Sequence, residues 1–234
     1  MKKWLFRNDL IFHSAPLAVI AAGILALAFS SLLPASAAQL PLDQFIQKVQ
    51  KSYHDVHALR AGFTQTREAQ GETRIESGTV VFARGGRMRW DYSTPIQKLF
   101  LSDGKEVLLY LPAEKQLNRS SVKASEDFRV PFRLLLSRLD LSKVFSKFED
   151  AGDAPQNASD DRVIRAFPKD GEKEGYKSVL IEFNPQMDIR RLAITYTDNS
   201  VMKFEFKGIQ RNPELPASLF HFAPPPGTEI IAQN

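Results

Sequence analysis

Ser77-Gly78-Thr79-Val80-Val81-Phe82-Ala83, followed by a Gly85-Gly86 turn and then Met88-Arg89-Trp90-Asp91-Tyr92, is the stretch whose reading decides the fold. The second half alternates: Met88, Trp90 and Tyr92 fall on one face and the charged Arg89 and Asp91 on the other, as a half-buried strand requires. Two such runs around a glycine pair predict a hairpin. Further candidates follow at short intervals: Gln97 to Ser102, the Asp103-Gly104 turn, Glu106 to Leu111, and Lys115 to Val122. No long crossover segment separates them, so consecutive strands should pair antiparallel.

Upstream of the hairpin, Leu42, Phe45, Ile46, Val49, Tyr53 and Val56 recur at the spacing of one helix face, and Pro41 and Asp43 suit a first helical turn. The period shifts towards two from Phe63 onward. Downstream, Phe132, Leu135, Leu136, Leu139, Val144, Phe145 and Phe148 return to helical spacing, so one or two short helices are expected between Pro131 and Phe148. Asp150 to Asp161 reads as a polar surface loop. Strands resume at Arg162 to Phe167, Ser178 to Phe183, Ile189 to Thr197 and Val201 to Ile209, with Asp198-Asn199 as the last turn. The chain closes on Phe220-His221-Phe222, the breaker Pro224-Pro225-Pro226-Gly227 and the apolar pair Ile230-Ile231. About ten strands with two or three helices predict a mainly β (α+β) domain: a large, strongly curved antiparallel sheet or barrel with helices at its mouth or against its concave face.

The first 37 residues read as an address. Lys2, Lys3 and Arg7 precede the apolar run Leu17 to Leu33, and Ala35-Ser36-Ala37 is a small-x-small exit, which together form a secretory signal peptide cleaved after Ala37. A retained anchor is the competing reading, since the run lies at the lower limit for spanning a bilayer. Gly23, Ser30, Ser31 and the Ala-Ser-Ala exit favour cleavage. Residues 38–234 then make one domain, long enough to bury a core without a staple. The sequence holds no cysteine, which excludes disulfides and an N-terminal lipidated cysteine. Loss of Lys2, Lys3, Arg7 and Asp9 with the signal takes the formal charge from +4 to +2. With no dense basic run interleaved with aromatics, nucleic acid is not an expected partner.

Motifs for chemistry are sparse. His54 and His57 stand three apart without an H-E-x-x-H context, and a solvated helix end explains them better than a metal site. Ser120-Ser121-Val122-Lys123 matches S-x-x-K but has neither S-D-N nor K-T-G beside it. No G-x-S-x-G, P-loop or G-x-G-x-x-G occurs, and no carboxylate pair stands out, so no catalytic residue, metal or cofactor is expected. The strands are instead apolar on both sides of their alternation: Val80-Val81-Phe82, Leu99-Phe100-Leu101 and Val107 to Leu111. Either the second face is covered by other elements, or it lines a cavity for an apolar ligand.

One ordered set of residues resembles a known family. Phe63-Thr64-Gln65, Gly78, Arg84, Met88-Arg89-Trp90-Asp91-Tyr92, Thr94-Pro95, Ser102-Asp103-Gly104-Lys105, Tyr110-x-Pro112, Pro131-Phe132 and Phe220-x-Phe222-x-Pro224-Pro225-x-Gly227 resemble the periplasmic outer-membrane lipoprotein carrier family, LolA. The resemblance implies an unclosed antiparallel β-barrel with a helical lid, enclosing an apolar cavity for lipoprotein acyl chains. It also implies a monomeric, non-enzymatic periplasmic carrier, loaded by an inner-membrane release complex and unloaded at an outer-membrane acceptor. Arg84 matches an arginine that locks the lid by hydrogen bonds to lid backbone, and Pro131 to Arg138 matches part of the lid. Gly85 stands where the family has proline, and Met88 where it has phenylalanine. Trp90, Phe100, Leu109 and Leu135 are the expected acyl-chain cavity wall. A carrier of another lipid, or a non-transport module that binds a lipoprotein or envelope regulator, would use the same fold.

Overall fold

The hairpin at residues 77–92 forms in register. In the computed structural model, which describes residues 39–122 and 141–233, β2 (Glu72–Ala83) pairs with β3 (Arg87–Thr94), so that Val80 faces Trp90 and Phe82 faces Met88. Gly85 and Gly86 turn the chain with φ of 82° and 76°, a region that side chains with a Cβ seldom enter. Gly78 serves a different need. A Cβ there would lie 2.0 Å from the Asp91 carbonyl oxygen, because β2 and β3 shift register between Ser77 and Gly78 and the two backbones close in.

The remaining strands are β1 (Ala58–Ala69), β4 (Lys98–Asp103), β5 (Glu106–Leu111), β6 (Gln116–Ser121), β7 (Phe145–Asp150), β8 (Arg162–Pro168), β9 (Tyr176–Phe183), β10 (Ile189–Tyr196), β11 (Val201–Arg211) and β12 (Glu229–Gln233). They form one twelve-stranded sheet in the order β12-β6-β5-β4-β3-β2-β1-β11-β10-β9-β8-β7. The ends of that order, β12 and β7, are not paired with each other, so the sheet is unclosed. Sheets of this size curl rather than lie flat. Every ladder is antiparallel except β12 with β6, which is parallel. The chain reaches that edge by a long return from β11, and a parallel pair needs such a return.

One expected helix is in part a strand. After a single helical turn at Leu141–Val144, Phe145–Asp150 is β7, paired with β8. The ladder slips between Phe145 and Lys147, and this irregularity lets Phe145 and Phe148 share a face, their rings 5.8 Å apart. Two aromatics three apart on one face are what a helix also produces, which is why the spacing misleads.

Both faces of the sheet are covered, and by different elements. On the inner face, α1 (Leu42–Tyr53) buries Phe45, Ile46, Val49 and Tyr53 in one core with Phe63, Val80, Phe82, Trp90, Phe100, Ile181, Phe183, Leu192 and Phe204. On the outer face, the chain after β11 folds back through a 3-10 turn at Ala217–Phe220. Phe220 packs with Ala58, Val81 and Ala83, while Phe222 packs with Leu99, Leu101, Leu108, Leu117 and Tyr110. The two-sided apolar runs therefore have a plain cause: even positions in Val80-Val81-Phe82 face α1, and Val81 faces the C-terminal segment.

Candidate functional site

The inner face is built from period-two positions. In register across the sheet lie Val80, Trp90, Phe100 and Leu109 on β2 to β5, so three residues expected to line a cavity stand side by side. Trp90 is fully buried, with Phe63 at 4.6 Å and Phe82 at 5.4 Å edge-on, Phe204 at 5.5 Å and Tyr92 stacked at 6.3 Å. Such offset and edge-on arrangements are the favoured ones for aromatic pairs. Phe100 is buried and Leu109 half-buried against the same core. Leu135 and the Pro131 to Arg138 stretch lie outside the described residues, as does the leader segment.

Across this wall lies α1, fixed at its C-terminal end by a set of polar side chains. A helix leaves its last carbonyls without intrahelical donors and carries partial negative charge there, so cations and amides are the matching groups. Arg84, just past β2, donates from Nη2 to the His54 carbonyl at 2.7 Å and from Nε to the Val56 carbonyl at 3.3 Å. Arg211, at the end of β11, donates to the Ser52 carbonyl at 3.0 Å, pairs with Asp188 at 2.8 Å and lies over the Tyr53 ring at 4.7 Å. Asn212 donates to the Asp55 carbonyl and accepts from the His57 amide. At the other end, Arg162 donates to the Leu40 carbonyl at 2.6 Å, lies over the Phe45 ring and forks onto Asp150. Tyr53 accepts from the Ile189 amide, and burial pushes its phenol up to about 12 against the opposing pull of that amide and of Arg211.

One rung beyond the aromatic wall the inner face turns polar. Glu76, almost fully buried, accepts from Lys98 at 2.8 Å, Arg74 at 3.1 Å and Gln65 at 3.3 Å. The Tyr92 hydroxyl donates to Gln65 at 2.9 Å, and Lys98 sits 4.2 Å over the Tyr92 ring. Two further buried carboxyls, Glu182 and Asp161, lie at the loop after β7. Glu182 meets Arg191 at 2.7 Å and the Asn157 amide, and Asp161 meets Arg190 at 3.1 Å. Desolvation, with Glu182 facing it, pushes Asp161 up to about 6. No group of three or more metal-ligating side chains occurs among the described residues.

Residues 54–223 match the family described as outer membrane lipoprotein carrier protein LolA. The chain belongs to the LolA family. Among its relatives, the outer-membrane lipoprotein carrier protein of Bordetella avium is 31% identical over 88% of this chain and 94% of its own length. That of Dechloromonas aromatica is 29% identical over 76% of this chain and 83% of its own. A solved structure, an uncharacterized conserved protein from Thermus thermophilus, superposes with a TM-score of 0.51 at 12% identity, covering 82% of this chain and 99% of that one, a likeness of fold.

Arg84 lies just past β2, and its partners are the backbone carbonyls of His54, which caps α1, and of Val56 in the link to β1. Sequence reading did not single out Arg211, Asn212, Asp188 or Arg162. Nothing local marks them: each is an ordinary polar residue at a strand end or turn, and only the sheet order brings β11 and β8 to the two ends of α1. The Glu76 cluster was missed for a related reason. In the sequence Gln65 stands out only as part of a motif, Lys98 is overshadowed by the apolar run Leu99-Phe100-Leu101, and Glu76 falls just before the stretch that reads as a strand.

Proposed function

We propose that this protein is a periplasmic carrier that binds lipoprotein acyl chains between the apolar inner face and α1, and shuttles them from the inner to the outer membrane. Residues 1–37 are its signal peptide and 38–234 its single carrier domain. Trp90, Phe100 and Leu109 contribute the acyl-binding wall, and Arg84 locks the helical cover by its bonds to the carbonyls of His54 and Val56. It acts as a monomer, takes cargo from an inner-membrane release complex and gives it to an outer-membrane acceptor, without catalysis. One observation carries the reading: a helix with an apolar face lies across an apolar wall, and polar side chains bond the backbone at and just after its C-terminal end. Such bonds can be exchanged for water one at a time, so the cover can lift without dismantling the sheet.

The energetic need matches. Each buried methylene contributes about 0.8 kcal/mol, so a long acyl chain leaving a bilayer for water costs roughly 10 kcal/mol. A wall of comparable apolarity cancels most of that cost and leaves a small difference for a better acceptor to exploit. The test is native mass spectrometry with lipid extraction on the protein purified from the periplasm of a Gram-negative host. A copurified acylated species, lost in Leu109→Asp, is the expected result. A clean apo mass with no uptake of an offered acylated peptide would overturn the reading and favour a non-transport module.

A further inference from the structure

We propose that Gln65, Glu76, Tyr92 and Lys98 form a headgroup seat, where the ester and amide groups of an acylated N-terminal cysteine are held while its acyl chains lie on the Phe63, Trp90 and Phe204 wall. The proposal rests on the carrier reading and adds the polar half of the ligand to it. The placement follows from strand period. Gln65 is two residues after Phe63 on β1 and Tyr92 two after Trp90 on β3, so both share the inner face with the aromatic wall. Glu76 is opposite Gln65, and Lys98 is opposite Tyr92.

The cluster is graded from buried to wet. The Glu76 side chain is 5% exposed, Lys98 20% and Arg74 62%, so the polar path runs from the apolar wall out to solvent. A lipid anchor with a water-soluble protein attached needs that gradient where its chains end and its peptide begins. The cluster is also expensive as mere structure. Burying charges costs several kcal/mol per ion, and apolar residues of similar volume usually stabilise as well or better. A wall that met only hydrocarbon would have no use for it.

The chemistry of the seat fits an acylated cysteine. Ester carbonyls need donors when they leave water, because a buried carbonyl without one is destabilising. Lys98 brings three N–H donors, of which one meets Glu76. Peptide amide hydrogens need acceptors, which Glu76 and the Gln65 side-chain oxygen supply. Tyr92 holds both partners: its hydroxyl fixes Gln65 and its ring carries the Lys98 ammonium.

The experiment compares two probes on the full-length mature protein: a synthetic diacylglyceryl-cysteinyl peptide, and diphenylhexatriene, which is apolar and uncharged. Lys98→Met keeps the stem over Tyr92 and removes the donors, and Tyr92→Phe deletes one oxygen. Lys98→Met should weaken the lipopeptide about tenfold and Tyr92→Phe about threefold, with diphenylhexatriene changed less than about twofold in either. Equal losses for both probes, or no loss for the lipopeptide, would overturn the seat. A wild-type protein that takes up neither probe would instead overturn the carrier reading.

Discussion

Replacing Arg84 with methionine tests how α1 is held, and the structure sets the size of the effect. Two bonds are lost, one at 2.7 Å to the His54 carbonyl and one at 3.3 Å to the Val56 carbonyl. Both are open to water, so the short one contributes about 1 kcal/mol and the long one a few tenths, well below the value of buried charged bonds. Against them stands the apolar face of α1, where Phe45, Ile46, Val49 and Tyr53 are all buried. At about 1.5–3 kcal/mol per side chain, that face contributes roughly 6–12 kcal/mol before the entropy of ordering the helix is subtracted. The arginine therefore biases the helix and the apolar face holds it. Arg84→Met should raise the opening frequency of α1 by about five- to tenfold and leave the sheet intact. Hydrogen exchange reads this directly: the amides of Val49 to Tyr53 should exchange faster by that factor, while those of β9 and β10 keep their wild-type protection. Bis-ANS fluorescence should rise in parallel. No change at α1, or a matching loss of protection in β9 and β10, would refute the assignment of Arg84 to the helix alone.

Three other outcomes follow from particular contacts. Gly78→Ala puts a Cβ where the nearest backbone oxygen is 2.0 Å away and should cost more than about 3 kcal/mol in urea unfolding, whereas Gly62→Ala, whose nearest atom is 3.7 Å away, should cost less than about 1 kcal/mol. Phe220→Ala empties the outer pocket formed by Ala58, Val81 and Ala83 and releases the ring under Arg87, so it should lose about 3 kcal/mol, measured in the same way. Asp161, held up to about 6 in the folded chain and near 3.9 when unfolded, binds its proton more tightly in the native state. Its stabilising share is complete below about pH 4 and is lost as pH rises through about 6, so Asp161→Asn should match wild type at pH 4 and be the more stable of the two at pH 7.

How far the sequence could be read depended on how local each signal was. The hairpin at 77–92 was legible because its glycine pair and its alternation sit within one short window. α1 was legible because Phe45, Ile46, Val49 and Tyr53 follow one period without interruption. Phe145 and Phe148 misled because a bulge imitates helical spacing. The parallel β12 was unreadable, since its partner β6 is distant in sequence and only the pair Ile230-Ile231 hinted at a strand. The inner-face positions of Trp90 and Phe100 followed from strand period. Arg211 and Glu76 did not, because their roles come from which strands become neighbours.

The outer cover sets an order in time. Leu99, Leu101, Leu108 and Leu117 are made early, and the aromatic that shields them, Phe222, is made near the far end of the chain. A nascent polypeptide therefore carries an open leucine strip until residues 217–222 have emerged. Contacts so distant in sequence form only after a large loop has closed. That delay leaves the strip open to other apolar partners while the rest of the chain is made. The 3-10 turn at Ala217–Phe220 and the Phe222 that follows it then work as a completion signal, closing the strip at the moment folding can finish.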